Sequence, residues 1–219
     1  MIKNLFYLLI MTTLLFSGGI VHAGELPPLE IAKKLQKTYE QTTSIVADFK
    51  QTSSIPMSRR QRKGSGSLVI QKPGLMRWDY QAPEEQVLVS DGTTISMYFA
   101  GNKQMIVMPA KDYLKSDITY SFFSGSGDIL RDFEILPPQE TDLDSHFHQI
   151  KLIPKKNHPQ VNSLTVSVDR ESFLIKRLVI VDHFDSVTDL LFVNLKVNEH
   201  KPADFFSFTP PPGTEIIRQ

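Results

Sequence analysis

The chain has 219 residues, with 24 lysines and arginines against 24 aspartates and glutamates and no cysteine. A balanced charge lacks the basic bias that nucleic-acid binding calls for, and the missing thiol removes cysteine catalysis, thiolate metal sites, disulfides and thiol redox chemistry. The length suffices for one domain with a sizeable hydrophobic core.

Lys3 precedes an apolar run from Leu5 to Val21, and Val21-His22-Ala23 places small residues at the two positions a signal peptidase reads. A membrane-spanning helix needs about 20 apolar residues, and this shorter run contains Thr12, Thr13, Ser17, Gly18 and Gly19. The layout predicts a secretory signal cleaved after Ala23. That leaves residues 24–219 as a single soluble domain with one net negative charge and no cysteine for lipid attachment.

Residues 29–43 read as a helix, with Leu29, Ala32, Leu35 and Tyr39 on one side and Lys33, Lys34 and Lys37 on the other. Pro27 and Pro28 stand at its start, where proline is tolerated. Short strands follow at about 45–54, 65–71, 75–80, 86–90, 94–99 and 103–108, and again at 133–136, 147–153, 161–168, 173–182 and 189–197. Between the two sets, residues 109–132 are rich in aromatics, including Phe122 and Phe123, and broken by Ser124-Gly125-Ser126-Gly127. Two short helices are expected there, one on each side of the break. The pattern predicts a mostly β domain, an antiparallel sheet or barrel with a few helices and no repeat.

The stretch Lys72-Pro73-Gly74-Leu75-Met76-Arg77-Trp78-Asp79-Tyr80 is the most informative of these strands. After a Pro-Gly turn, Met76, Trp78 and Tyr80 alternate with Arg77 and Asp79, giving one apolar and one polar face. In the next hairpin, Asp91-Gly92 favours a two-residue loop. That loop would set Leu88 opposite Ile95 and Gln86 opposite Met97, placing Leu88, Ile95 and Met97 on one surface. This surface is expected to be continuous with Met76 and Trp78 and to include Leu68 and Ile70.

Catalytic patterns fail on inspection. Gly64-Ser65-Gly66-Ser67 and Ser124-Gly125-Ser126-Gly127 lack the glycine spacing of a nucleophile elbow, and Leu130 stands where a dinucleotide fingerprint after Gly125 needs its third glycine. His146 and His148, near Asp142 and Asp144, have metal-ligating chemistry, but a polar turn followed by outward-facing strand positions is the ordinary reading. Asp182-His183-Phe184-Asp185 reads as a strand-end turn. The run Arg59-Arg60-Gln61-Arg62-Lys63 suits acidic headgroups or an acidic protein surface; a solvated hairpin tip is its commoner meaning. No catalytic residue, metal or cofactor is expected.

Taken in order, these pieces resemble the LolA family, the periplasmic carriers of outer-membrane lipoproteins. The match rests on Phe49-x-Gln51, Gly66-x-Leu68, the stretch 72–80, Pro83, Ser90-Asp91-Gly92, Tyr98, Gln104, Leu152-x-Pro154 and Phe206-x-Phe208-x-Pro210-Pro211-x-Gly213. Together they cover nearly all of the chain beyond the leader. The resemblance implies an incomplete, half-open antiparallel barrel covered by helices over a hydrophobic cavity. The helix at 29–43 and the aromatic segment 113–133 would form the lid. Leu68, Ile70, Met76, Trp78, Tyr80, Leu88, Ile95, Met97, Phe122 and Phe123 would line the cavity, and Lys72 would act as a latch. Two positions depart from the pattern: Lys72 replaces a frequent arginine and loses its planar fork of donors, and Met76 replaces a frequent phenylalanine with a more adaptable side chain.

The implied function is carriage of lipoproteins through the periplasm, from an inner-membrane ATP-driven exporter to an outer-membrane acceptor lipoprotein, by a monomer. A carrier or sensor for another lipid or glycolipid is the alternative. Acyl chains cannot cross water exposed, since each buried methylene is worth about 0.8 kcal/mol. Such a protein needs an apolar cavity and polar contacts that set the balance between grip and release.

Overall fold

Helix α1 (Pro28–Gln41) begins at Pro28, in its first turn, where no intrahelical donor is lost. It buries Ile31, Ala32, Leu35 and Tyr39, a stripe at helical spacing. The helix ends two residues before the expected Thr43. Thr42 leaves the helix with extended dihedrals, and its backbone N–H and hydroxyl both return to the Thr38 carbonyl, at 3.1 and 2.8 Å. A short hydroxyl side chain competing for backbone acceptors is what favours such an exit.

The computed structural model describes residues 25–56, 58, 61–111, 113, 127–139, 144 and 146–219. Its strands are β1 (Ser44–Ser54), β2 (Gln61–Gln71), β3 (Leu75–Ala82), β4 (Gln86–Asp91), β5 (Thr94–Phe99), β6 (Gln104–Pro109), β7 (Phe133–Leu136), β8 (Phe147–Pro154), β9 (Ser163–Asp169), β10 (Ile175–Val181), β11 (Val187–Val197) and β12 (Glu215–Arg218). They form one sheet in the order β12-β6-β5-β4-β3-β2-β1-β11-β10-β9-β8-β7, with β12 and β7 as its two edges. Every adjacent pair is antiparallel except β12 with β6. This is the expected mostly β, open-barrel architecture with helices against one face. A one-turn helix α2 (Ile129–Asp132) packs against α1, the Ile129 N–H donating to Gln36 Oε1 at 3.0 Å. Of the aromatic segment, residues 110, 111 and 113 are helical, while 114–126 lie outside the described residues.

Register irregularities fall between Val46 and Asp48 in β1 and between Ser65 and Gly66 in β2. Bulges of this kind bend a strand and increase local twist, as a curving sheet requires. At the second one, only glycine fits: a Cβ on Gly66 would lie 1.9 Å from the Asp79 carbonyl oxygen.

Two separate apolar clusters form on the two faces. The inner cluster joins α1 and α2 to β1–β3 and β7–β11 through residues such as Leu35, Phe49, Leu68, Trp78, Ile150, Val166 and Leu178. The outer one joins Val69, Val87, Val89, Tyr98, Met105 and Val107 to Phe206. Phe206 belongs to a 3₁₀ helix (Ala203–Phe206) that sequence periodicity did not reveal, and neither was β12 foreseen. This C-terminal segment crosses the outer face and ends as an added strand beside β6. No helix among the described residues is long and apolar enough to cross a membrane.

Three local expectations need correction. The β4–β5 hairpin pairs Leu88 with Met97 and Ser90 with Ile95, two residues from the expected register. Asp91 sets the longer turn, accepting the Thr93 and Thr94 N–H groups at 2.8 and 2.7 Å and the Thr94 hydroxyl at 3.0 Å. His148 lies on the inner face beside Ile150 and Leu152, buried and stacked on Phe173 with ring centroids 5.5 Å apart, so it does not face outward. Arg62 and Lys63 belong to strand β2 and not to a hairpin tip.

Candidate functional site

Alternation on β3 puts Met76, Trp78 and Tyr80 on the inner face, and register carries that face across the neighbouring strands. One row reads Leu68–Trp78–Leu88–Met97–Ile106 and the next Ile70–Met76–Ser90–Ile95–Met108. A third runs Phe49–Gly66–Tyr80–Gln86–Phe99. Leu68, Ile70, Met76, Trp78, Tyr80, Leu88, Ile95 and Met97 therefore share one surface. The register correction leaves this intact, because a shift of two residues preserves the face whereas a shift of one inverts it. Phe122 and Phe123 lie outside the described residues.

Burial along the first row falls from one side to the other. Leu68 and Trp78 are buried; Leu88, Met97 and Ile106 are only half-buried. On the same strands the outer-facing Val87, Val89, Tyr98, Met105 and Val107 are all buried. Along this row the inner surface of β4–β6 is thus apolar but incompletely covered, whereas Ser90 and Ile95 in the next row are buried.

Where β1, β3 and β11 meet, four aromatics make a wall. Phe49 meets Trp78 and Tyr80 edge-on, at 4.9 and 4.7 Å, and Phe192 meets Trp78 at 6.4 Å. Phe49 reaches Tyr80 over Gly66, which has no side chain to separate them. The Tyr80 hydroxyl donates to Gln51 Oε1 at 2.9 Å, so this polar tip of the wall is satisfied. This explains the Phe49-x-Gln51 spacing: both side chains point inward and bracket Tyr80.

Lys72 occupies the β2–β3 turn, with its Nζ donating to the Tyr39 carbonyl in the last turn of α1. Its backbone N–H donates to the Thr43 carbonyl at 2.9 Å. A cation there complements the partial negative charge at the helix C-terminus. Burial pushes its ammonium below the usual lysine range, with nearby Glu40 pulling the other way. Tyr39 itself is buried, and burial drives its hydroxyl well above the ordinary tyrosine range while that oxygen accepts the Ile175 N–H at 3.3 Å. Lys72 thus stands at the junction of α1 and the sheet, apart from the apolar rows.

The polar face of the same β3 segment has a structural use. Arg77 Nε pairs with Asp79 at 2.8 Å, and Nη1 donates to the carbonyls of Phe205 and Ser207 at 3.0 and 3.2 Å. Its guanidinium also lies 5.2 Å from the Phe205 ring centre. Tyr98 packs on Phe208 at 5.1 Å. Two distant parts of the sequence pattern, residues 77–79 and 205–208, are therefore one contact that seals the outer face.

Sequence reasoning did not single out Phe99, Ile106, Met108 and Phe192 for this surface. On β6 four consecutive apolar residues, Met105 to Met108, leave no alternation to read. For Phe99, continuing the alternation Ile95–Met97 by two residues would have sufficed. Among the described residues no cluster of histidine, aspartate and glutamate is placed to hold a metal.

A family profile described as "Outer membrane lipoprotein carrier protein LolA" matches residues 40–209. An outer-membrane lipoprotein carrier protein of Nitrosomonas europaea is 30% identical over 186 residues, 85% of this chain and 88% of that one. One from Legionella pneumophila is 30% identical over 189 residues, 86% of this chain and 90% of its own. In fold, the chain resembles an uncharacterized conserved protein from Thermus thermophilus, with a TM-score of 0.53 and 12% identity over 87% of this chain and 98% of that one. With a profile spanning most of its length, and with the pattern residues meeting in one apolar wall and one outer clasp, the chain belongs to the LolA family.

Proposed function

We propose that this protein carries the acyl chains of lipoproteins on the inner face of its sheet, shuttling them across the periplasm to the outer membrane. The observation that carries the reading is the uneven cover of β4–β6, whose inner residues Leu88, Met97 and Ile106 are half-buried while the outer ones are sealed. An apolar surface left accessible inside a curved sheet is where flexible hydrocarbon gains most from leaving water. Methionines at 76, 97 and 108 suit chains of varying shape, because thioether side chains repack readily.

Leu68, Ile70, Met76, Trp78, Tyr80, Leu88, Ile95 and Met97 form the acyl-binding wall in this reading. Lys72 ties α1 to the sheet and serves as the latch that loading must loosen. Carriage requires no bond to be made or broken in the cargo. Residues 1–23 act as the cleaved export signal, an inner-membrane ATP-driven exporter supplies the cargo, and an outer-membrane acceptor lipoprotein receives it.

The test is uptake of a fluorescent acyl probe, with native mass spectrometry of the protein recovered from periplasm. Met97→Glu is expected to weaken uptake at least tenfold while the fold survives, since position 97 retains access to water. Unchanged uptake would refute the site. A copurifying glycolipid or pigment in place of a lipoprotein would keep the site and change the cargo. Lys72→Ala is expected to speed both loading and release; unaltered rates would remove the latch.

A further inference from the structure

His148 is 7% exposed on the inner face of β8, beside Ile150 and Leu152 on its own strand and opposite Val168 on β9, all three fully buried. Among the described residues its Nδ1 has no hydrogen-bond partner. Buried polar atoms are nearly always satisfied, and an apolar ring would stack there without the cost of a bare nitrogen. A titratable ring in such a place calls for a use.

The ring that stacks on it is held by a built turn. Phe173 has a φ of 56°, a left-handed conformation that bulky side chains seldom adopt. Asp169 fixes this turn: its Oδ1 accepts the Glu171 and Ser172 N–H groups at 3.2 and 2.9 Å and the Ser172 hydroxyl at 2.8 Å. Its carbonyl accepts the Phe173 N–H at 3.1 Å. Helix α1 closes on the turn at three points. Lys34 Nζ lies 4.8 Å from the centre of the Phe173 ring, the Thr38 hydroxyl donates to the Ser172 carbonyl at 3.3 Å, and the Tyr39 hydroxyl accepts the Ile175 N–H at 3.3 Å. Phe173 therefore links the helix to the sheet, one ring meeting the ammonium of α1 and the imidazole of β8.

This arrangement suits a neutral imidazole and not a cation. A proton added to His148 would place a charge among aliphatic side chains, against a ring already occupied by the Lys34 ammonium. Arg170 and Lys34 oppose that charge and Glu25 favours it, but Glu25 also lies 3.8 Å from Arg170. Of the other charged groups on the surrounding elements, Asp169 is bonded within its turn, Glu30 is paired with Lys33, and Asp144 accepts the His146 N–H. Lys37, Glu40 and Glu171 are exposed, and Lys176 is half-buried on β10. Parting α1 from the turn lets water reach an imidazolium. The proton then binds the open form more tightly than the closed one and shifts the balance toward it.

We propose that His148 is a proton-operated release for α1: its protonation loosens the helix from Phe173 and the β9–β10 turn and uncovers the inner face toward β8 and β9. Resting on the reading of that face as an acyl-binding surface, the release makes uptake of acyl chains rise as pH falls.

The experiment is hydrogen exchange of the α1 amides at about pH 7.5 and about pH 5.5, corrected for the intrinsic rate, with acyl-probe uptake on the same protein recovered from periplasm. In the wild type both should rise about fivefold at the lower pH. His148→Phe should abolish both rises and leave uptake at neutral pH unchanged, and His148→Leu repeats the test should phenylalanine fail to pack. His146, His158, His183 and His200 remain in both variants, so a response from any of them would survive. A response that survives in both variants, or α1 exchange indifferent to pH in a protein that takes up probe, would overturn the release. Exchange that responds through His148 in a protein taking up no probe at either pH would keep the release and overturn the carrier reading.

Discussion

Strands β4–β6 are apolar on both faces, yet the two faces have different fates. Outward, Val87, Val89, Tyr98, Met105 and Val107 are closed off by Phe206 and its neighbours. Inward, Leu88, Met97 and Ile106 keep partial contact with water. Similar residues at alternate positions become core on one side and a candidate binding surface on the other. What differs, among the described residues, is whether another part of the same chain covers them. The outer cover is clamped by Arg77, whereas α1 is committed to the β7–β8 side of the inner face.

That contrast can be broken first at Phe206, which is 1% exposed. Phe206→Ala should cost about 3–5 kcal/mol of stability, as for other buried phenylalanines, without altering acyl-probe affinity. Met97→Ala should do the reverse, weakening the probe and barely shifting the urea midpoint. If both variants lose the same stability, the two faces are equivalent core and the distinction fails.

Arg77→Ala comes next. It removes the charged hydrogen bonds to Phe205 and Ser207 and should cost about 1–2 kcal/mol. Protection of β12 and residues 203–208 against hydrogen exchange should fall before that of β8–β10. Uniform loss across the sheet would mean the clasp is not a local device.

The smallest effect belongs to the part of the inner face that α1 does seal. His148 is buried, and among the described residues its Nδ1 has no hydrogen-bond partner. Burial holds its pKa below the ordinary histidine value; Arg170 and Lys34 act in the same direction and Glu25 opposes them. The unfolded chain therefore takes up this proton first as pH falls. The stability linked to His148 is fully present above about pH 6.5 and is lost as pH falls toward the lower folded-state value. His148→Phe should flatten the melting-temperature profile between neutral and mildly acidic pH. A profile identical to wild type would assign the pH dependence elsewhere.

Much of the architecture was legible beforehand because alternation and turn chemistry are local. Strands β5 and β7 match their expected limits, and most others agree within two or three residues. Face membership of the apolar residues survived a wrong hairpin register because it depends only on parity. His148 was harder: it shares parity with Ile150 and Leu152, but what accommodates a histidine ring among them is Phe173, which stacks on it from the β9–β10 turn. The role of Arg77 was also hidden, since an arginine between Met76 and Trp78 looks solvated until residues 205–207 arrive from the far end of the chain.

By itself the sequence determined the strand-rich domain, the amphipathic first helix and the apolar identity of the inner rows, which follow from spacing of two or of three to four residues, and the motifs by which it resembles its family. Tertiary structure alone decided which apolar face is covered, which terminus covers it, where Lys72 finds a carbonyl and which ring stacks on His148. Those outcomes depend on pairs of segments up to about 150 residues apart, such as Thr43 with Asn198. Local propensity carries no information about which distant segment will arrive to bury a surface.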